Sequence, residues 1–150
     1  MFRYVHTNLI AKDVEKLTGF YKKALHCKSI GETRDLNGEW LDRMTGIPGA
    51  HITGEHLLLP GWGEDHPTLE IFSYDEVKDR LPAAINRQGL GHLAFEVDDV
   101  KQSLADIQKY GGKAYGELVT AEYPGNVEAC FVYAMDPEEN IIELQSWRKR

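Results

Sequence analysis

The chain repeats itself, and the repeat restricts its fold more than any other feature. The run His6-Thr7-Asn8-Leu9-Ile10-Ala11-Lys12-Asp13-Val14 matches His92-Leu93-Ala94-Phe95-Glu96-Val97-Asp98-Asp99-Val100, with His6 on His92 and Asp13-Val14 on Asp99-Val100. Lys28-Ser29-Ile30-Gly31-Glu32 then matches Lys113-Ala114-Tyr115-Gly116-Glu117 after a one-residue slip. Leu69-Glu70-Ile71-Phe72-Ser73-Tyr74 matches Ile142-Glu143-Leu144-Gln145-Ser146-Trp147. Each copy therefore opens on a histidine segment and closes on a glutamate segment.

Local patterning gives both copies the same order of elements. Residues 2–11 alternate as a strand does. Asp13 suits a helix N-cap, and Val14, Leu17, Phe20, Tyr21, Ala24 and Leu25 fall on one face of the helix that follows. Strands are expected at about 28–35, 51–60 and 67–74. In the second copy a strand is expected over 91–97. Asp98 or Asp99 then caps a helix carrying Val100, Leu104 and Ile107, and Gly111-Gly112 ends it. Strands at about 113–120, 127–135 and 140–147 complete that copy. The expected fold is α+β: two βαβββ modules forming a curved, open eight-stranded barrel-like sheet with helices outside. Module 1 covers about 1–75, a linker with Pro82 and Gly89-Leu90-Gly91 about 76–90, and module 2 about 91–148, all within one domain. The amphipathic piece Trp40, Leu41, Met44 and Ile47, before Pro48-Gly49, belongs to the first copy alone; it reads as a lid or rim, or as dimer surface.

Composition narrows the class. A net charge of −7 over 150 residues argues against a nucleic-acid partner. The Arg148-Lys149-Arg150 cluster reads as a solvated end. No run has the length of a membrane span, and the opening residues lack the basic head and apolar run of a signal peptide. The expected location is cytoplasmic, and there the isolated Cys27 and Cys130 read as thiols.

Strand parity singles out four residues. Side chains alternate across a strand. Tyr4, His6 and Asn8 share one face, and His92 and Ala94 share the equivalent face. Glu70 goes with Thr68, Phe72 and Tyr74, opposite Leu69 and Ile71. Glu143 goes with Ile141, Gln145 and Trp147, opposite Ile142 and Leu144. The apolar faces belong against the helices, so both histidines and both glutamates point away from them. Carboxylates on an interior face are costly unless paired or bound to a cation. His6, Glu70, His92 and Glu143 thus make a candidate N₂O₂ set for one divalent metal ion: Zn, Ni, Co, Fe or Mn. Tyr4, Asn8, Phe72, Tyr74, Gln145 and Trp147 supply a mostly aromatic lining for a small-molecule substrate. His51, Glu55 and His56, near the third strand, are candidates for a second acid or base. His26 and His66 are assigned no role.

The motifs resemble those of the vicinal oxygen chelate superfamily, the glyoxalase I / bleomycin resistance / dioxygenase fold. They are His6-Thr7 through Gly19-Phe20-Tyr21, Gly91-His92 through Asp98-Asp99, and the Asp136-Pro137 to Ile142-Glu143-Leu144 hairpin. The His/Glu/His/Glu set is most similar to that of glyoxalase I. The resemblance implies a metal-dependent lyase, isomerase or epimerase that moves a proton next to a carbonyl through a metal-chelated enediolate. Glu143 is then the base and Glu70 the other candidate, and a homodimer is expected. The alternative is a non-catalytic antibiotic-binding resistance protein of the same fold. Glyoxalase I usually has Arg where this chain has Ile10 and Asn where it has Tyr74, so glutathione contacts are not expected here.

Overall fold

The computed structural model describes residues 1–63 and 67–149. His66 and Arg150 lie outside the described residues. The chain divides into two compact units, Met1–Arg80 and Leu81–Arg150. Together they carry an α+β fold of two four-stranded mixed sheets and three helices.

The first unit runs β1 (His6–Ile10), α1 (Val14–Ala24), β2 (Lys28–Asn37), α2 (Glu39–Thr45), β3 (His51–Leu58) and β4 (Thr68–Tyr74). Its sheet has the order β1-β4-β3-β2, with β1 parallel to β4 and the other neighbours antiparallel. The second unit runs β5 (Leu93–Glu96), α3 (Val100–Lys109), β6 (Lys113–Tyr123), β7 (Val127–Met135) and β8 (Ile141–Lys149). Its order, β5-β8-β7-β6, is the same pattern.

Two strand starts differ from the sequence reading. β1 begins at His6 rather than residue 2, because β4 begins at Thr68, the partner of His6. Among the described residues no strand pairs with those before Val5, whose carbonyl accepts from Thr68 N. Tyr4 is accordingly exposed outside the strand and its hydroxyl meets Thr7 Oγ1. β5 covers only Leu93–Glu96, so His92 stands one residue ahead of it.

The helices form where the caps and apolar stripes put them. Asp13 Oδ1 accepts from Lys16 N at 2.9 Å, and Asp99 Oδ1 accepts from Gln102 N at 2.9 Å. Leu17, Phe20 and Tyr21 of α1 are buried with Leu57 of β3 and with Leu69 and Ile71 of β4. Ile107 of α3 is buried, as are Val132 of β7 and Ile142 and Leu144 of β8. Each such aliphatic side chain contributes about 1.5–3 kcal/mol by leaving water.

The Gly-Glu signature shared by the two copies is a pair of equivalent bulges. The β2–β3 register shifts between Ile30 and Arg34, and the β6–β7 register shifts between Tyr115 and Val119. Gly31 (φ +70°) and Gly116 (φ +85°) take the left-handed conformation that these bends need.

The inserted piece is the helix α2. Leu41 packs with Ala50, Ile52 and Phe72, while Trp40, Met44 and Ile47 stay exposed. The Asp42 carboxylate accepts from Gly49 N and Ala50 N, both at 2.8 Å, and ties the helix to the start of β3.

Gly54 lets β3 and β4 close up beside this cluster. A Cβ there would lie 2.2 Å from the Ile71 carbonyl oxygen and 2.6 Å from Phe72 Cδ1. Backbone cannot yield as a flexible side chain does. Gly54→Ala is expected to lower stability by about 1–3 kcal/mol. Urea unfolding checks this, and an unchanged midpoint would contradict it.

Candidate metal centre

The register of the parallel strand pair creates the same contact in both units. Asn8 lies opposite Glu70, so His6, two residues earlier on the same face, is its diagonal neighbour. His6 Nε2 lies 3.2 Å from Glu70 Oε2. In the second unit Ala94 lies opposite Glu143, which makes His92 the diagonal neighbour. His92 Nε2 lies 2.9 Å from Glu143 Oε2. The same atoms meet in both pairs.

Both pairs fit a cation. Ligand atoms about 2.0–2.2 Å from one ion lie roughly 3 Å apart when they occupy neighbouring positions. The separations of 3.2 and 2.9 Å match that spacing. Each pair alone offers only two donors. Among the described residues no group of three or more His, Cys, Asp or Glu side chains is placed to hold a metal ion.

Glu70 is the more enclosed carboxylate. Its side chain is 10% exposed, against 17% for Glu143. It also has more partners. Asn8 Nδ2 donates to Oε2 at 3.0 Å, and His56 Nε2 lies 2.6 Å from Oε1. Burial holds His56 below the ordinary imidazole value, and Arg34 and His6 add to this against the pull of Glu70. His56 Nε2 thus stands within hydrogen-bond distance of the carboxylate.

The structure brings some expected residues into these clusters and gives others different work. Asn8 belongs to the Glu70 cluster. Phe72 and Tyr74 have α2 packed over them, and Phe72 is only 9% exposed. In the second unit Trp147 packs with Tyr123 (5.0 Å between centroids) and Phe131 (5.5 Å), and its Nε1 donates to Gln145 Oε1. Tyr123 and Trp147 are both 43% exposed. Tyr123 and Phe131 were not among the residues picked from the sequence. They lie in β6 and β7, where only the register aligns them with β8. Glu55 serves the fold: Lys22 Nζ of α1 lies 2.6 Å away and Ser29 Oγ donates at 2.8 Å. Burial pushes Glu55 up, but these two partners outweigh it and hold the carboxyl below the usual range.

Comparison with known proteins follows the same lines. The family profile described as Glyoxalase/Bleomycin resistance protein/Dioxygenase superfamily matches residues 3–144. No curated relative matches the chain in sequence. Among solved structures, a glyoxalase family protein from Bacillus cereus superposes with a TM-score of 0.82 at 20% identity, over 98% of this chain and 95% of that one. A glyoxalase I mutant from Zea mays gives 0.66 at 22% identity, over 95% of this chain and 44% of that one. A mutant of the fosfomycin resistance protein FosX from Listeria monocytogenes, solved with Mn(II) and a dihydroxypropylphosphonic acid, gives 0.55 at 17% identity, over 96% and 91%.

At the start of β3, His51 sits between two carboxylates. Its Nε2 lies 2.6 Å from Asp35 Oδ1 and its Nδ1 2.8 Å from Asp75 Oδ1. The hydrogen bond to Asp35, then that to Asp75, raises its pKa above the ordinary value against a smaller effect of burial. The stabilisation it adds is complete below the unfolded imidazole's value of about 6.5 and is lost as pH rises through the folded value. NMR titration should place His51 above the free imidazole, and Asp35→Asn should bring it down. A His51 that titrates like free histidine would refute the bridge.

Proposed function

The chain belongs to the Glyoxalase/Bleomycin resistance protein/Dioxygenase superfamily, and on that premise we propose that it is a divalent-metal-dependent enzyme of the glyoxalase type. The observation that carries this reading is the duplicated His–Glu pair, set by the same register in both units. His6 and Glu70 with His92 and Glu143 would hold one ion, within a single domain or across a homodimer. When bound, a divalent ion there supplies Lewis-acid polarisation of a substrate carbonyl.

The remaining work falls to the chain's own groups. Glu143 takes the proton from the carbon next to that carbonyl and returns it. Its Oε2 faces His92, and its Oε1 meets no partner among the described residues. Gln145 and Trp147 continue from Glu143 along one face of β8, and with Phe131 and Tyr123 they offer a largely aromatic surface next to the base. The ion choice among Zn, Ni, Co, Fe and Mn is left to the donor set, which suits all of them.

The two thiols fit a reducing, cytoplasmic setting. Neither forms a disulfide, and burial pushes the Cys27 thiol up to about 12, so that its thiolate form is disfavoured. Among the described residues no helix is long and apolar enough to cross a membrane. A second reading, sequestration of a small molecule without turnover, draws support from the exposed aromatic cluster and from the resistance protein among the structural neighbours.

Protein purified without added metal should carry a bound divalent ion by elemental analysis, and His92→Ala should remove it. A metal content near zero that this change does not alter would sink the metal reading. With α-hydroxycarbonyl or acyl-CoA candidates in D₂O, Glu143→Gln should slow exchange of the C–H next to the carbonyl by about 100-fold or more. Metal-loaded protein that exchanges none of them would favour the binding role. Glutathione hemithioacetal should turn over weakly or not at all, given Ile10 and Tyr74.

A further inference from the structure

We infer that His56 is a positioning residue that fixes Glu70 in ligand geometry, so that the two His–Glu pairs are chemically unequal. The inference rests on the metal-dependent reading above and assigns His56 a specific part in it.

Glu70 is held on both oxygens. Oε1 meets His56 Nε2 at 2.6 Å, and Oε2 accepts from Asn8 at 3.0 Å beside His6 at 3.2 Å. His56 is itself held, since its ring packs against Phe72 at 5.6 Å, and Phe72 lies in the cluster beneath Leu41 of α2. The inserted helix is thereby linked to the carboxylate through two side chains. The register makes this a property of the first unit alone. His56 pairs with Glu70 as Tyr133 pairs with Glu143, and Asn8 stands where Ala94 does. Ala94 has no side-chain donor. Tyr133 faces the His92 ring at 5.2 Å, and among the described residues no hydrogen bond joins it to Glu143.

A stationary ligand and a proton carrier need opposite properties. The ligand gains from a fixed rotamer, because ordering it beforehand removes that cost from metal binding. The carrier must swing between carbon and oxygen. Glu70 has the first property, and Glu143, with one recorded contact, has the second.

The test is Co²⁺ affinity of the intact chain, read by competition with a chromogenic chelator. His56→Phe keeps a ring against Phe72 and removes the donor; His56→Gln keeps a donor at the same reach. His56→Phe should weaken Co²⁺ binding by about tenfold. His56→Gln and Tyr133→Phe should stay near the parent protein. Thermal unfolding of each metal-free variant separates loss of the donor from loss of the fold. Equal losses in the Phe and Gln variants, or no loss in either, would overturn the assignment of His56 alone. A parent protein that binds no Co²⁺ would overturn the metal reading, and this inference with it.

Discussion

Each unit depends on the parallel pairing of its first strand with its last. Among the described residues, β1 with β4 and β5 with β8 are the only strand pairs in parallel register. A parallel pair requires a crossover, and here α1 or α3 begins that path and packs its apolar stripe on the same sheet. The pairing fixes which residue faces the glutamate, and alternation then sets the histidine two positions earlier on the same face. A slip of one residue would turn both side chains toward the helix, where Leu69 and Ile71 or Ile142 and Leu144 belong. The same apolar burial that stabilises the fold therefore holds the His–Glu contact in place.

The rest of each unit adjusts what lies beside that contact. The bulge in β2 starts after Ile30, the partner of His56, and the bulge in β6 starts after Tyr115, the partner of Tyr133. Both bends thus follow the residue that flanks the glutamate across the sheet. Gly54 serves a related end, because only a residue without Cβ lets β3 lie so near Ile71 and Phe72.

The repeat, the order of elements along the chain, both helix caps and the four His and Glu positions are legible in the sequence, since each rests on local patterning or on comparison of the copies. The starts of β1 and β5 were not legible, because a strand extends only as far as its partner and the partner is remote. His56 was visible only as one histidine among three candidate residues near the third strand. Its pairing with Glu70 depends on the β3–β4 register, which leaves no periodic trace in the sequence. The repeat gave no help there, since the second copy carries Tyr133 at that position. Tyr123 and Phe131 escaped for the same reason: a cluster drawn from three strands is a property of register. Phe72 and Tyr74 were read by parity alone, and parity does not reveal that α2 packs over that part of the face.

Duplication supplies equivalent positions, whereas the proposed proton transfer requires that two like carboxylates behave differently. A chain of two identical units would hold both glutamates alike, and neither would be better placed to move. Here the copies diverge around the carboxylates. The first gained a helix, an imidazole donor and an amide donor at one carboxylate, and the second has an alanine and a tyrosine at the matching places. The more buried carboxylate has the most hydrogen bonds, as its desolvation demands. The less buried one meets only His92 among the described residues, and its strand contributes Trp147 to the exposed aromatic cluster. Burial and hydrogen bonding thus agree with the proposed roles: the glutamate that must be satisfied to be buried is held on both oxygens, and the one nearer solvent is held by His92 alone among the described residues.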